Sequence, residues 1–199
     1  MSVMTSNPLQ MGFLSYLRSE VCTIANAITS VRLICALALY AFPELAAVAF
    51  LAALIGAVSD AIDGPVAKWT RRCTSFGKRF DQWVDWFFGI ALMYAILVHD
   101  RFTVNTISLT VVIGAYMLLR LRVPTADTSS AARIKTILQF TAGPVILSGH
   151  AAPEIGQFLF GDRIEIPAIA SALWYAGYAI VWTSTLWTWY SFRDYFVHP

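Results

Sequence analysis

Ser59 to Asp85 reads S-D-A-I-D-G-P-V-A-K-W-T-R-R-C-T-S-F-G-K-R-F-D-Q-W-V-D, and Asp60, Asp63, Asp81 and Asp85 stand at or inside the ends of two hydrophobic runs. Each Asp at the centre of a membrane helix costs roughly 2.5–3.5 kcal/mol, so four unpaired ones would cost on the order of 10 kcal/mol. A set that costly cannot decorate a lipid-facing surface. The four must face each other, a cation, or water.

The rest of the chain identifies the medium. Its 199 residues amount to about one domain, but 58% are hydrophobic and only 13% charged, and the mean hydropathy is +0.63. Those values exclude an ordinary soluble domain and point to an integral membrane protein. The net charge of +2 is small, and its distribution matters more than its sum. No nucleic-acid partner is expected. Cys22, Cys35 and Cys73 show neither pairing nor metal-ligand spacing, so they read as reduced thiols used for packing. The N-terminus lacks the charged region, short apolar run and cleavage site of a signal peptide, so the first span is expected to be retained.

Residues 1–23 read as a tail and a surface helix, and 24–199 as one bundle. Leu9, Phe13, Leu17 and Val21 recur every four positions, with Arg18, Ser19 and Glu20 on the polar side, which suits a short amphipathic helix lying on the membrane. Six spans of membrane-crossing length follow: about 24–42, 45–68, 76–98, 102–121, 134–147 (extending towards His150) and 166–192. The expected fold is therefore an all-α bundle of six transmembrane helices. Pro43 and Glu44 form a tight turn, His99 to Arg101 mark another, and Arg122 to Arg133 form a polar stretch. A loop carries Pro153, Glu154, Gly161, Asp162, Arg163 and Glu165. In the first span Asn26, Thr29 and Arg32 share a face. Arg32 either snorkels to the headgroups or points inward at an anionic substrate.

Orientation follows from Lys and Arg. With both termini cytoplasmic, eleven of these residues flank the cytoplasmic side (Arg18, Lys68, Arg71, Arg72, Lys78, Arg79, Arg120, Arg122, Arg133, Lys135, Arg193) and only Arg101 and Arg163 the other. The aspartate segment therefore opens to the cytoplasm. Trp187, Trp189, Tyr190 and Phe192 read as an interfacial aromatic anchor.

On a helix, Asp60, Asp63, Gly64, Ala67 and Lys68 fall on one stripe, and Gly77, Asp81 and Asp85 follow at steps of four on the next span. Two antiparallel helices joined by a short basic loop can thus oppose carboxylate pairs at one depth. Hard oxygen ligands gathered this way suit Mg²⁺ or Mn²⁺, and no His or Cys nearby favours zinc. Gly64 and Gly77 remove bulk beside the carboxylates, allowing backbone or a flat ligand to approach. Lys68, Arg71, Arg72, Lys78 and Arg79 surround the opening with positive charge, so the combination points to a phosphate-bearing substrate.

The spacing D-x2-D-G-x2-A-R-x8-G-x3-D-x3-D resembles that of the CDP-alcohol phosphotransferase family, matched here by Asp60, Asp63, Gly64, Ala67, Gly77, Asp81 and Asp85. Lys68 stands where the family has Arg, which keeps the charge but loses the bidentate fork. The resemblance implies displacement of CMP from a CDP-linked lipid or alcohol by a hydroxyl acceptor, with two divalent cations, Mg²⁺ or Mn²⁺. It further implies that Asp60, Asp63, Asp81 and Asp85 hold metal and that Asp85 acts as general base. Gly64, Ala67, Lys68 and Gly77 would line the cytidine diphosphate. A homodimer and a bacterial inner-membrane location are expectations from the same source.

The acceptor is a finer matter. T-I-A-N-A-I-T-S-V-R-L from Thr23 to Leu33, and Lys135, Thr136 and Gln139 at the fifth span, resemble phosphatidylglycerophosphate synthases and cardiolipin synthases. Those enzymes usually read D-P-x-A-D-K where this chain has Asp81-Gln82-Trp83-Val84-Asp85-Trp86. Arg32, Arg120, Arg122, Arg133 and Lys135 are the candidates to hold an acceptor phosphate, or serve as topology charges. The expected reaction joins CDP-diacylglycerol and glycerol 3-phosphate. Phosphatidylglycerol, inositol phosphate and serine are alternative acceptors. From other classes come a cation transporter using the membrane aspartates and an inactive partner subunit.

Overall fold

A computed structural model of the chain describes residues 21, 23–70, 74–101, 103, 106–108, 110–111, 114, 130–160 and 166–197. Its elements are α1 (Ile24–Ala41), α2 (Ala46–Trp69), α3 (Ser75–His99), α4 (Ser130–Phe160) and α5 (Pro167–Val197), with no strand among the described residues. The surface helix expected from Leu9 lies, save Val21, outside the described residues, as does most of the span expected over 102–121.

The helix starts follow from local chemistry. Thr23 caps α1 by accepting from the Asn26 amide at 3.1 Å, and Thr74 caps α3 by accepting from the Gly77 amide at 2.9 Å. Helix α1 ends where the Phe42 amide bonds the Ala38 carbonyl at 2.9 Å and Pro43 follows, a residue that cannot continue the ladder. The residue before α2, Leu45, offers no capping side chain. Instead a carboxylate oxygen of Glu154 on α4 accepts from the Ala47 amide at 3.1 Å, placing negative charge at that helix's start.

That contact goes with a correction. Pro153 and Glu154 were expected in a loop, yet both lie within α4, and Ser130 to Arg133 are helical as well. A proline inside a helix removes one backbone bond and its neighbours can absorb the kink. Here α4 is held along α5 at very short range: a Cβ on Gly149 would meet the Ala170 carbonyl at 2.8 Å, and one on Gly177 the Ile146 backbone amide at 2.7 Å. Tertiary packing therefore carries the helix through its prolines.

Helix α1 packs along both α2 and α3, which meet each other where the Phe88 ring lies against Gly56, and α4 packs against α5 and α2. The core holds Ala36, Ala49, Ala53, Ala91, Ala95 and Ala142 with larger fillers Leu39, Phe88, Ile146 and Leu147. Small residues let membrane helices approach where lipid supplies no hydrophobic drive between them. Cys35 packs in this core, as expected of a structural thiol. Ile24, Ile34, Leu37, Leu51, Ile55, Val58 and Ile90 face outward in numbers no water-soluble surface would carry. Among the described residues, three helical stretches, Ile24–Ala41, Ala46–Asp63 and Ser75–His99, are long and apolar enough to cross a membrane.

At the C-terminal end of α3, Asp100 collects donors from three directions. Its Oδ1 lies 2.7 Å from His150 Nε2 on α4 and accepts from Trp174 Nε1 on α5 at 2.9 Å. Its Oδ2 accepts from Thr106 Oγ1 at 2.9 Å and from the Tyr178 hydroxyl. The spacing of the sequence marks this residue only as part of a turn, whereas it is 6% exposed and ties α3 to α4 and α5. Burial raises its pKa, but the hydrogen bonds from His150, Tyr178, Trp174 and Thr106 outweigh burial and bring it down to about 2. The folded pKa thus lies below the unfolded value of about 3.9, so this stabilisation is complete above roughly pH 4 and lost as pH falls towards 2. Asp100→Ala, which strands four donors, is expected to lower stability by about 3 kcal/mol, measured by thermal unfolding in detergent. Asp100→Asn should flatten the acid dependence between about pH 4 and pH 2. An unchanged acid limb would show that another group governs it.

Candidate metal and phosphate site

The two carboxylate pairs reach one place because the helical period keeps each pair on one face. Asp60 and Asp63 come from α2, and Asp81 and Asp85 from α3. Carboxylate oxygens of Asp60, Asp63 and Asp81 all lie within 4.8 Å of one another. Asp85 joins them through a shared partner on α1.

That partner is Arg32. Its Nη2 lies 2.9 Å from Asp60 Oδ1 and donates to Asp63 Oδ2, while its Nη1 lies 2.9 Å from Asp81 Oδ1 and donates to Asp85 Oδ1. One nitrogen serves the α2 pair and the other serves the α3 pair. Of the two destinations open to Arg32 in the sequence, snorkelling and pointing inward, the structure has the second: its relative exposure is 0%. It meets the aspartates themselves. Thr29 and Asn26 share the buried face, at 3% and 7% exposure.

Four carboxylates around one guanidinium form a site with excess negative charge. The aspartate side chains keep openings to the surface, with 29% exposure at Asp60, 41% at Asp81 and 32% at Asp85 against 12% at Asp63. Hard oxygen donors in this number, close together and partly open, fit a divalent cation of the Mg²⁺ or Mn²⁺ type with room for further oxygen ligands. Pro65, inside α2, has no amide to give the Ala61 carbonyl, so an additional oxygen beside Asp60 is released from the helix ladder.

A Cβ at Gly77 would stand 2.6 Å from Asn26 Oδ1 and 2.9 Å from Thr74 Oγ1, so the space beside it holds the Asn26 side chain of α1. Asn26 is anchored there by its Nδ2 donating to the Val21 carbonyl at 2.7 Å. Gly64, Ala67 and Lys68 lie on the α2 stretch that carries Asp60 and Asp63, with the Ala67 and Lys68 side chains outside the described residues. Arg71, Arg72, Arg120 and Arg122 lie outside them too, as do the side chains of Arg133 and Lys135 on α4. Lys78 and Arg79 are exposed near the start of α3.

Residues 22–190 match the family model described as CDP-alcohol phosphatidyltransferase. The match covers well over half of the chain, and the chain belongs to that family. Searches of the curated proteins and of the solved structures find no match. The family consists of transferases that move a phosphatidyl group from a CDP-alcohol to an acceptor, generally with a divalent cation. Together with three membrane-capable helices, this makes the chain an integral membrane protein of lipid biosynthesis.

The crowding at Gly77 gives a test of how α1 is seated on α3. Ala is favoured over Gly by up to about 1 kcal/mol inside a helix, but here the added methyl displaces Asn26. Gly77→Ala is expected to destabilise by about 1 kcal/mol in the native background and to become neutral or stabilising in an Asn26→Ala background. Additive effects in a double-mutant cycle of thermal stabilities would rule the contact out.

Proposed function

Taking membership of that family as the premise, we propose that the chain transfers the phosphatidyl group of CDP-diacylglycerol to a hydroxyl acceptor and releases CMP, with glycerol 3-phosphate the acceptor of first choice. The observation that carries this reading is the convergence of Asp60, Asp63, Asp81 and Asp85 from two helices onto one point.

In this reading Asp60, Asp63, Asp81 and Asp85 hold a pair of divalent cations, Mg²⁺ or Mn²⁺. When bound, these ions neutralise the diphosphate and stabilise the CMP leaving group. Asp85 also serves as general base. Its carboxylate takes the proton of the acceptor hydroxyl as the oxygen attacks the phosphatidyl phosphorus. The phosphorus–oxygen bond to CMP breaks, CMP leaves with that electron pair, and the product is the phosphodiester. The partial exposure of Asp85 gives the acceptor a way to reach it. Gly64, Ala67, Lys68 and Gly77 line the nucleotide side; Arg120, Arg122, Arg133 and Lys135 hold the acceptor phosphate, because a phosphate monoester needs cations beyond those that neutralise the diphosphate.

The same proposal completes the architecture. Helices α4 and α5, each 31 residues, and residues 102–121 bring the spans to six. At about 1.5 Å per residue, 31 residues reach roughly 46 Å, enough to cross a hydrocarbon core of about 30 Å and extend past it. In this reading the excess of Lys and Arg on one side supports aspartates that face the cytoplasm, with a bacterial inner membrane as the proposed location.

Purified protein with CDP-diacylglycerol and Mg²⁺ or Mn²⁺ should release CMP, and a panel of glycerol 3-phosphate, phosphatidylglycerol, inositol phosphate and serine identifies the acceptor. Metal binding without CMP release for any acceptor would overturn the transferase reading. Asp85→Asn is expected to reduce turnover by about 10²-fold or more while leaving the protein folded, and a near-native rate would remove Asp85 as base. Lys68→Arg, which restores the bidentate fork, should preserve or lower the KM for CDP-diacylglycerol.

A further inference from the structure

Arg32 touches each aspartate assigned above to the metals and no other acidic residue among those described. Its two terminal nitrogens divide the four carboxylates between the α2 pair and the α3 pair. It is wholly buried, its stem is fixed on α1, and its Nε has no hydrogen-bond partner. A guanidinium held only through its ends satisfies the carboxylates better than it satisfies itself.

We propose that Arg32 is a built-in counter-cation that competes with the divalent metals for the four aspartates, so that metal loading requires it to give up carboxylate contacts. This competition depends on the metal-dependent reading above, and two steps of chemistry lead to it. First, Mg²⁺ binds oxygen at about 2.0–2.1 Å. A cation seated among the Asp60, Asp63 and Asp81 carboxylates draws on the same groups that accept from Nη1 and Nη2, within a few ångströms of a like charge. Second, a bundle interior with four carboxylates and no cation is strongly disfavoured. Arg32 meets that need before metal arrives, which lets the site fold metal-free. The same contact weakens metal binding. An arginine that was only a fixed structural brace would leave metal affinity unchanged or strengthen it by holding the ligands in place.

The test is metal binding, independent of turnover. Mn²⁺ affinity of the purified full chain in detergent is measured by the electron paramagnetic resonance of free Mn²⁺, for the native protein, Arg32→Met and Arg32→Lys. Removing one positive charge a few ångströms from the ion is expected to tighten Mn²⁺ binding by about tenfold or more in Arg32→Met. Arg32→Lys, with a single nitrogen to share among four carboxylates, should fall between. The metal-free melting temperature of Arg32→Met should drop, and saturating Mn²⁺ should raise it by more than it raises the native protein. If Arg32→Met folds only with Mn²⁺ present, its affinity is read by chelator competition from the loaded protein. Unchanged or weaker Mn²⁺ binding in Arg32→Met overturns the proposal while leaving the metal site standing. Absence of Mn²⁺ binding in both the native protein and Arg32→Met overturns both.

Discussion

Four carboxylates held close together inside an apolar bundle are the constraint on which the rest of the structure depends. Coulomb repulsion and desolvation both act against the arrangement, and no amount of alanine packing around it would compensate. What makes it tenable is a cation from a third helix. Arg32 bonds carboxylates of both α2 and α3, whose own packing includes the Phe88 ring against Gly56. Helix α1 is therefore more than a hydrophobic neighbour: it is the element through which the two halves of the aspartate motif are joined. Its buried face, Asn26, Thr29 and Arg32, is polar at successive turns because each residue has a polar partner to meet.

Much of this was legible in the sequence, for reasons that can be named. Four aspartates inside hydrophobic runs carry an energetic cost that demands partners, and steps of three and four fix the face they share. The spans over 24–42, 45–68 and 76–98 came out within a few residues, because the apolar runs and the Pro43 turn mark their extents, and in the structure Thr23 and Thr74 cap two of the starts. The destination of Arg32 was not legible. A lone arginine two turns inside a span is equally explained by headgroups, and only the face it shares with Asn26 and Thr29 hinted otherwise. The packing of Asn26 beside Gly77 was not legible either, because a missing side chain does not say what approaches it.

Asp100 stands in the turn expected there, but its tie to α4 and α5 was hidden for a different reason. Its partners His150, Trp174 and Tyr178 lie 50, 74 and 78 residues along the chain, and no local pattern connects them. Beside His99 and Arg101 it looked like an ordinary turn residue. Pro153 and Glu154 misled in the same way. Helix-breaking residues suggest a loop when local preference is all there is to weigh, but the close approach of α4 to α5 and the Glu154 contact to the start of α2 override that preference.

Helix α3 thus separates two buried acidic centres by about 22 Å, taking 1.5 Å for each of the 15 residues from Asp85 to Asp100. They differ in how their charge is met. Asp100 is a single carboxylate surrounded by His150, Trp174, Tyr178 and Thr106, donors enough to satisfy both oxygens, so nothing further is invited to bind. The aspartate centre has four carboxylates and one guanidinium, leaving a formal charge of about −3 if all are ionised, and its oxygens remain partly open to the surface. A centre in balance locks helices together. A centre in deficit is open to cations, and in the function proposed above those cations draw a diphosphate, so the difference in charge balance at the two ends of one helix separates the end that holds the bundle from the end proposed for chemistry.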